Sequence, residues 1–145
     1  MKLRELRVTY HATPIPTLRP GSRIVDAKSA AAILVPLLEN QAQEVLGALM
    51  LNAQHQPVGW YEIARGGLAS VQMDLKVLFR AVLAASASAI VLAHNHPSGD
   101  PQPSLDDIAM TRAVIAAGKL LEVEVLDHLV IGDQRYISLK EFGVI

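Results

Sequence analysis

The sequence of 145 residues contains no cysteine, few aromatic residues and no long hydrophobic run. Without cysteine the chain forms neither disulfide bonds nor thiolate metal sites, and this composition suits a reducing cytoplasm. Phe, Trp and Tyr make up only 4% of the residues, so the core must consist mainly of Leu, Val, Ile and Ala. The longest nearly apolar stretch, residues 81–93, is shorter than the roughly 20 residues of a membrane span. The first ten residues lack the apolar region of a signal peptide, which predicts a soluble cytoplasmic protein.

The charge balance is close to neutral, with a formal net charge of −1. A protein that binds nucleic acid by neutralising phosphates usually carries a basic excess. The basic residues near the N-terminus, Lys2, Arg4 and Arg7, are interrupted by Glu5 and are typical of a solvated tail. The charge therefore does not favour autonomous DNA binding.

The pattern along the chain predicts an irregular N-terminal arm over residues 1–21 and a single domain over residues 22–145. Periodicity and capping residues predict three helices and five strands, in the order helix 27–40, strands 45–51 and 58–64, helix 75–86, strand 89–93, helix 104–118, and strands 124–131 and 135–138. Pro36 predicts a kink or an early end of the first helix, and Gly118 predicts the end of the third. Buried strands between helices predict an α/β (α+β layered) domain, with a mixed β-sheet covered by helices on both faces.

The stretch AHNHPSGDPQPSLDD, residues 93–107, combines histidines and acids at the end of a predicted central strand. Side chains alternate along a strand, and a residue before proline favours extended backbone, so His94 and His96 are expected to point to the same side. Asn95 then points to the opposite side. Two imidazoles at the carboxyl end of a strand suit a metal site, although the pair alone equally suits the polar start of a loop.

A catalytic zinc site needs a third protein ligand, and Asp100, Asp106 and Asp107 are the nearest candidates. Helical projection places Asp107 on the face that packs inward and Asp106 on a solvated face, whereas Asp100 lies in a Pro/Gly turn. The helix start has a second interpretation, because Ser104 and Asp107 have the spacing of a capping box. Taken together with the two histidines, Asp107 is the favoured ligand.

A hydrolytic metal site also needs a group that takes a proton from water. Three acids are candidates for this base: Glu44 beside a buried strand, Glu62 within the paired strand, and Asp127. Spacing alone does not choose among them, and for each of them the sequence alone favours a surface carboxylate.

The pattern HNHP-x(6)-S-x-x-D, from His94 to Asp107, resembles the JAMM motif of the JAB/MPN metalloenzyme superfamily. Together with RGGLASVQMD before it and VLDHLVIGD after it, the longer stretch resembles the RadC branch, over roughly residues 22–145. The motif is specific, since residue identities and spacings agree.

The resemblance implies zinc as the cofactor, with His94, His96 and Asp107 as its ligands. The family pattern E-x-x-G falls on residues 44–47, which implies that Glu44 holds and deprotonates the zinc-bound water. Ser104 matches the motif serine, which in the family helps to bind the oxyanion and which also suits a helix cap. Family members cut peptide or isopeptide bonds, and their fold resembles that of the cytidine deaminases.

The chain departs from the family pattern in its length and in one motif residue. Full-length RadC-type proteins usually carry an N-terminal helix-hairpin-helix DNA-binding region, for which this chain has no room. Asn95 stands where the peptidase branches have Ser or Thr, although the RadC branch has Asn. Asp127 and His128 lie in a family-like stretch and are interpreted as polar hairpin residues without an assigned role.

These observations support three hypotheses. The first is a zinc-dependent metallopeptidase or isopeptidase whose partner is a peptide or protein substrate. The second is a non-catalytic interaction module, and the third is a DNA-repair-associated protein, as the family's label implies. Deamination is disfavoured because the chain lacks the paired cysteines of those zinc sites.

Overall fold

The computed structural model describes residues 1–66 and 73–145. Residues 67–72, which include Gly67 and most of the stretch RGGLASVQMD, lie outside the described residues. The described elements are α1 (Ala27–Leu38), β1 (Val45–Leu51), β2 (Pro57–Arg65), α2 (Leu75–Ala84), β3 (Ala89–Asn95), α3 (Leu105–Leu121), β4 (Glu124–Gly132) and β5 (Arg135–Ser138). Across these two ranges, no helix is both long and apolar enough to cross a bilayer.

The strands form one mixed sheet in the order β2-β1-β3-β4-β5. β3 and β4 are parallel, and the other neighbouring pairs are antiparallel. Every residue of the central strand β3 is buried. A strand buried on both faces requires a continuous apolar run, which is why residues 89–93 do not alternate in polarity. The predicted mixed sheet and both predicted hairpins are confirmed.

Helices cover both faces of the sheet and create two apolar clusters. The first cluster lies between α1 and the sheet and includes Leu34, Leu38, Leu49, Val91 and Ile131. The second lies between the sheet and helices α2 and α3 and includes Leu78, Val82, Ile90, Leu92 and Val114. Because side chains alternate along β3, position 94 faces the α2/α3 side and position 95 faces the α1 side.

Helix α3 is longer than the sequence predicts. It continues past Gly118 to Leu121, and Glu122 ends it in the left-handed conformation with φ of 57°. The prediction that Gly118 ends the helix is wrong. A Cβ at Gly118 would lie 2.5 Å from the carbonyl oxygen of Val123, so glycine is needed there for the close return of the chain into β4.

Helix α1 contains Pro36 in its last turn and ends at Leu38. Proline has no N–H, so the carbonyl of Ala32, four residues earlier, loses its usual helical partner. The hydroxyl of Thr17 donates to that carbonyl at 2.9 Å. The segment before the helix therefore compensates for the proline.

The N-terminal residues 1–26 contain no helix or strand. Ile15 and Leu18 pack against the cluster beneath α1, whereas residues 1–14 are exposed. The division into an arm over residues 1–21 and a domain over residues 22–145 stays a prediction.

Gly47 permits a close crossing between β1 and β2. A Cβ on Gly47 would lie 2.7 Å from the carbonyl oxygen of Tyr61 and would overlap the ring of Trp60. A larger residue would have to displace the indole or the backbone of β2, since packed interiors have no spare volume. The glycine of the E-x-x-G pattern is thus explained by strand packing.

Candidate metal centre

Four side chains with metal-binding atoms lie together at the carboxyl end of β3. His94 and His96 come from the end of this strand, and Glu44 immediately precedes β1. Asp107 lies in the first turn of α3. One ligand atom from each of the four residues lies within 4.8 Å of the others. The sequence-predicted residues His94, His96, Asp107 and Glu44 are therefore brought together, and their roles as ligands and base stay predictions.

The distances within this group are short and point towards a common centre. The Nε2 atoms of His94 and His96 are 2.9 Å apart, which confirms that both rings point to the same side. Oδ1 of Asp107 is 3.2 Å from His94 Nε2, and Oδ2 is 3.3 Å from His96 Nε2. Oε1 of Glu44 is 3.8 Å from His94 Nε2. A tetrahedral zinc bound by nitrogen and oxygen at about 2.0–2.2 Å separates neighbouring ligand atoms by roughly 3.3–3.6 Å.

The three aspartates proposed as the third ligand occupy different environments. Asp107 is buried in the site, whereas Asp106 is exposed, as the helical projection predicts. Asp100 is also exposed, and its carboxylate accepts the N–H of Gln102. Its backbone carbonyl accepts a hydrogen bond from Nδ1 of His96 at 2.8 Å. Of the three, only Asp107 belongs to the group.

The capping box at the start of α3 is present together with the metal-site contacts. The hydroxyl oxygen of Ser104 accepts the N–H of Asp107 at 3.0 Å, and Oδ2 of Asp107 accepts the N–H of Ser104 at 2.8 Å. The cap thus helps to fix the Asp107 carboxylate while both of its oxygens face the histidines. Ser104 uses its oxygen as an acceptor in this cap, which leaves its O–H free to donate.

The three candidate bases are separated by the fold. The Glu62 carboxylate pairs with Arg65 at 2.5 Å on the exposed side of β2. Asp127 is buried and accepts from the hydroxyl of Ser138 at 2.5 Å and from the N–H of Lys140 at 3.2 Å. It anchors the chain after β5. Only Glu44 reaches the histidine group.

His128, interpreted from the sequence as a polar hairpin residue, is fully buried beside the site. Its Nε2 is 2.7 Å from His94 Nδ1, and its Nδ1 is 2.5 Å from the hydroxyl of Thr111. The Thr111 hydroxyl donates to the backbone carbonyl of Asp107 at 2.6 Å. His128 lies in the predicted β4–β5 hairpin, but it faces the α2/α3 side from within β4 and contacts the site, which the sequence interpretation did not include. The continuous apolar run Leu129 to Ile131 was the signal that this strand is buried.

The contacts of His128 determine which nitrogen of His94 carries hydrogen. The Asp107 carbonyl only accepts, so the single hydroxyl hydrogen of Thr111 is used there, and Nδ1–H of His128 must donate to the Thr111 oxygen. Burial holds the pKa of His128 well below its ordinary value, so the ring is neutral and its Nε2 accepts from His94 Nδ1–H. Nε2 of His94 then faces the site. Outer partners of this kind orient metal-binding histidines.

His96 is held in the same way. A backbone carbonyl only accepts, so Nδ1–H of His96 donates to Asp100 and its Nε2 faces the site. Nε2–H of the protonated ring donates to Asp107, whereas the neutral ring offers an Nε2 lone pair to a cation. A hydrogen bond to Asp107 raises the pKa of His96. Burial raises the pKa of Asp107, but hydrogen bonds with His94 and His96 outweigh it and hold that pKa below its ordinary range. Both shifts favour a positively charged group beside the Asp107 carboxylate.

The donor set fits a divalent cation such as zinc. Two imidazole nitrogens and carboxylate oxygens are ligands that zinc accepts, and both imidazoles have outer partners. Without a cation or a shared proton, nitrogen lone pairs 2.9 Å apart would repel each other. The arrangement is thus a group that could bind a metal ion.

The family comparison agrees with the motif. The protein-family model described as the RadC-like JAB domain matches residues 24–144. The chain belongs to this family. The resemblance to the RadC branch of the JAB/MPN superfamily is therefore confirmed.

The relatives of this RadC-like JAB domain include longer proteins from bacteria and archaea. A UPF0758 protein of Clostridium perfringens is 40% identical over 123 residues, which cover 85% of this chain and 54% of that protein. A UPF0758 protein of Moorella thermoacetica is 42% identical over 118 residues, 81% of this chain and 52% of that protein. A UPF0758 protein of Methanosarcina acetivorans is 35% identical over 126 residues, with coverages of 87% and 55%. The chain spans about half the length of these curated relatives.

In this RadC-like JAB domain, replacing His128 with Ala is expected to weaken zinc binding by roughly 10–100-fold, because the variant removes the outer partner that fixes His94. Zinc affinity measured by competition with a chromophoric chelator checks this. Asp127→Asn is the matched control, since its side chain contacts Ser138 on the opposite face. Unchanged affinity in folded His128→Ala protein would contradict the role of His128.

Proposed function

We propose that the domain is a zinc-dependent hydrolase that cleaves an amide bond in a peptide or protein, as a metallopeptidase or isopeptidase. One observation carries the proposal. Two imidazole Nε2 atoms and the Asp107 carboxylate converge at 2.9–3.3 Å while Glu44 lies 3.8 Å from His94. A hydrolytic zinc site has three protein ligands and keeps its fourth position for water. A further carboxylate beside such a site can act as the base.

His94, His96 and Asp107 would hold the cation, whose Lewis acidity lowers the pKa of bound water to about 7 and polarises a carbonyl. Glu44 is the base in this proposal, because its carboxylate is beside the histidines and is only partly covered by protein. It would accept a proton and return it to the leaving amine. The O–H of Ser104 would donate to the oxygen that becomes negative as the amide is attacked.

The surface beside the site suits a peptide chain. His96 also borders a cavity of about 630 Å³ that is lined by the residues after α1, the β3–α3 loop and the β4–β5 turn. Polar groups of Gln41, Ser98 and Arg135 line it and could bond with the polar backbone of a peptide. This supports a peptide or protein as the substrate class.

The proposal is tested by hydrolysis of a peptide library. Protein that has been stripped with a chelator and reconstituted with zinc is expected to cleave members of the library. The stripped protein and a sample kept in excess chelator are expected to cleave none. Elemental analysis gives the zinc content of each sample. Zinc-loaded protein that cleaves no peptide or isopeptide would contradict the hydrolase, and a failure to take up zinc would favour an interaction module.

A further inference from the structure

Asn95 lies between the two histidines, but its side chain has a different set of contacts. It is 3% exposed and points to the α1 side of the sheet. Its Oδ1 accepts the backbone N–H of Val45 at 2.7 Å. Its Nδ2 donates to the backbone carbonyl of Gln43 at 3.0 Å and to that of Gln41 at 3.4 Å. Asn95 therefore bonds to the residue before Glu44 and to the residue after it.

The segment that carries Glu44 depends on these bonds. Residues 41–44 lie in no helix or strand, and the ladder between β1 and β3 ends at the pair Leu46–His94. The Val45 N–H lies beyond this ladder, and the Asn95 side chain supplies the acceptor that a backbone carbonyl would otherwise provide. The carbonyl of Glu44 itself accepts the N–H of Gly66 at 2.8 Å. Bonds from Asn95 in β3 and from Gly66, just after β2, thus fix the backbone on both sides of the Glu44 side chain.

The bonds of Asn95 to Gln43 and Val45 form a clamp around Glu44, and strand geometry links this Glu44 clamp to the two histidines. Residues 94 and 96 face one side of the sheet and residue 95 faces the other, so one tripeptide carries both histidines and the Glu44 clamp. A displacement of residues 41–44 would move the Glu44 carboxylate relative to His94. The two histidines would stay in place, because His128 holds His94 and the Asp100 carbonyl holds His96.

We propose that Asn95 is a positioning residue that fixes the Glu44 carboxylate against the metal centre. The inference rests on the proposed function, because it assumes that Glu44 serves that centre. It deepens that function by assigning a role to the residue between the ligands.

A double-mutant cycle on zinc affinity tests the proposal without measuring turnover. Removing the charge of Glu44 in the Glu44→Gln variant is expected to weaken zinc binding about tenfold, the order expected for a water-screened attraction to a divalent cation. Asn95→Ala is expected to weaken it by about three- to tenfold when Glu44 is present, and by less than about twofold in the Glu44→Gln background. Chelator competition with Zn²⁺ gives all four affinities.

Two further variants separate positioning from loss of folding. Asn52 makes comparable bonds at the opposite end of β1, where its Oδ1 accepts the N–H groups of Gln54 and Gln56 at 2.9 Å. Asn52→Ala is expected to lower thermal stability without changing zinc affinity. If Asn95→Ala does not fold, Asn95→Ser keeps one hydroxyl for Val45 or Gln43 and takes its place in the cycle, with a smaller expected loss.

Turnover gives a second, independent cycle. Asn95→Ala is expected to lower kcat by about 10²-fold, the effect of an ångström-scale misplacement, with KM nearly unchanged. It is expected to lower kcat no further in Glu44→Gln protein.

Additive losses of zinc affinity, or no loss of zinc affinity in Asn95→Ala, would overturn the positioning role even if the enzyme is active. A non-additive affinity cycle in a protein without hydrolytic activity would support the role of Asn95 and refute the hydrolase.

Discussion

Replacing Glu44 with Gln is expected to lower kcat by roughly 10²–10⁴-fold, which is the usual contribution of a general base. The amide has nearly the same shape as the carboxylate but accepts no proton at neutral pH. Because the variant keeps His94, His96 and Asp107, its zinc content at saturating zinc is expected to equal that of the wild type. The measurements are steady-state hydrolysis of a peptide from the library and elemental analysis of the same sample.

Glu62→Gln is the matched control for this variant. Glu62 is also a glutamate, within β2, but its carboxylate pairs with Arg65 on an exposed surface. An exposed ion pair contributes little to stability, so this variant is expected to retain the wild-type kcat. Normal turnover in Glu44→Gln protein, or an equal loss in both variants, would show that Glu44 is not the base.

The sequence predicted the parts of the site that depend on local geometry. The shared side of His94 and His96 follows from strand alternation over three residues. The choice of Asp107 over Asp106 follows from the helical repeat within one turn. In the structure both histidines face the same side and Asp107, not Asp106, lies beside them, because Ser104 starts α3 at the expected residue and because β3 extends to Asn95.

The rest of the site depends on contacts between distant parts of the chain. Glu44 reaches His94 because β1 pairs with β3 in the register that places Leu46 opposite His94, and spacing along the sequence does not set that register. The resemblance to a family selected Glu44, whereas the residue pattern left Glu62 and Asp127 equally open. His128 was missed for a similar reason, since parallel pairing of β3 with β4 brings it beside His94.

Helix ends show the same division between local and distant causes. Glycine often ends a helix because it adopts positive φ readily, and Gly118 was interpreted in that way. In the structure Glu122 adopts the positive φ, and Gly118 is required by its approach to Val123. A glycine that permits close packing and a glycine that permits positive φ have the same appearance in a sequence.

Replacing Asp107 with Asn is expected to abolish zinc retention, with a loss of affinity larger than the roughly 10–100-fold that outer partners contribute. The variant removes one of the three proposed ligands and its negative charge. An asparagine oxygen can still accept the N–H of Ser104, so the helix cap is largely kept. Asp106→Asn removes the same charge from the same turn of α3 but at an exposed position, and it is expected to bind zinc normally. Competition with a chelator measures the zinc affinity of both variants, and thermal unfolding of the two apo-proteins measures their stability.

The two variants separate a ligand from a helix-capping residue. Loss of a first-turn carboxylate costs about 0.3–1 kcal/mol through the helix dipole, so apo-Asp106→Asn is expected to unfold at nearly the wild-type temperature. Apo-Asp107→Asn also loses the contacts with His94 and His96 that hold the Asp107 pKa low, so it is expected to unfold at a lower temperature. Zinc is expected to raise the unfolding temperature of the wild type and of Asp106→Asn, because a ligand that binds only the native state stabilises it. It is expected to leave Asp107→Asn unchanged. If instead zinc stabilised all three proteins equally, Asp107 would be a capping residue alone, and the interpretation of the two histidines and this acid as a metal centre would be wrong.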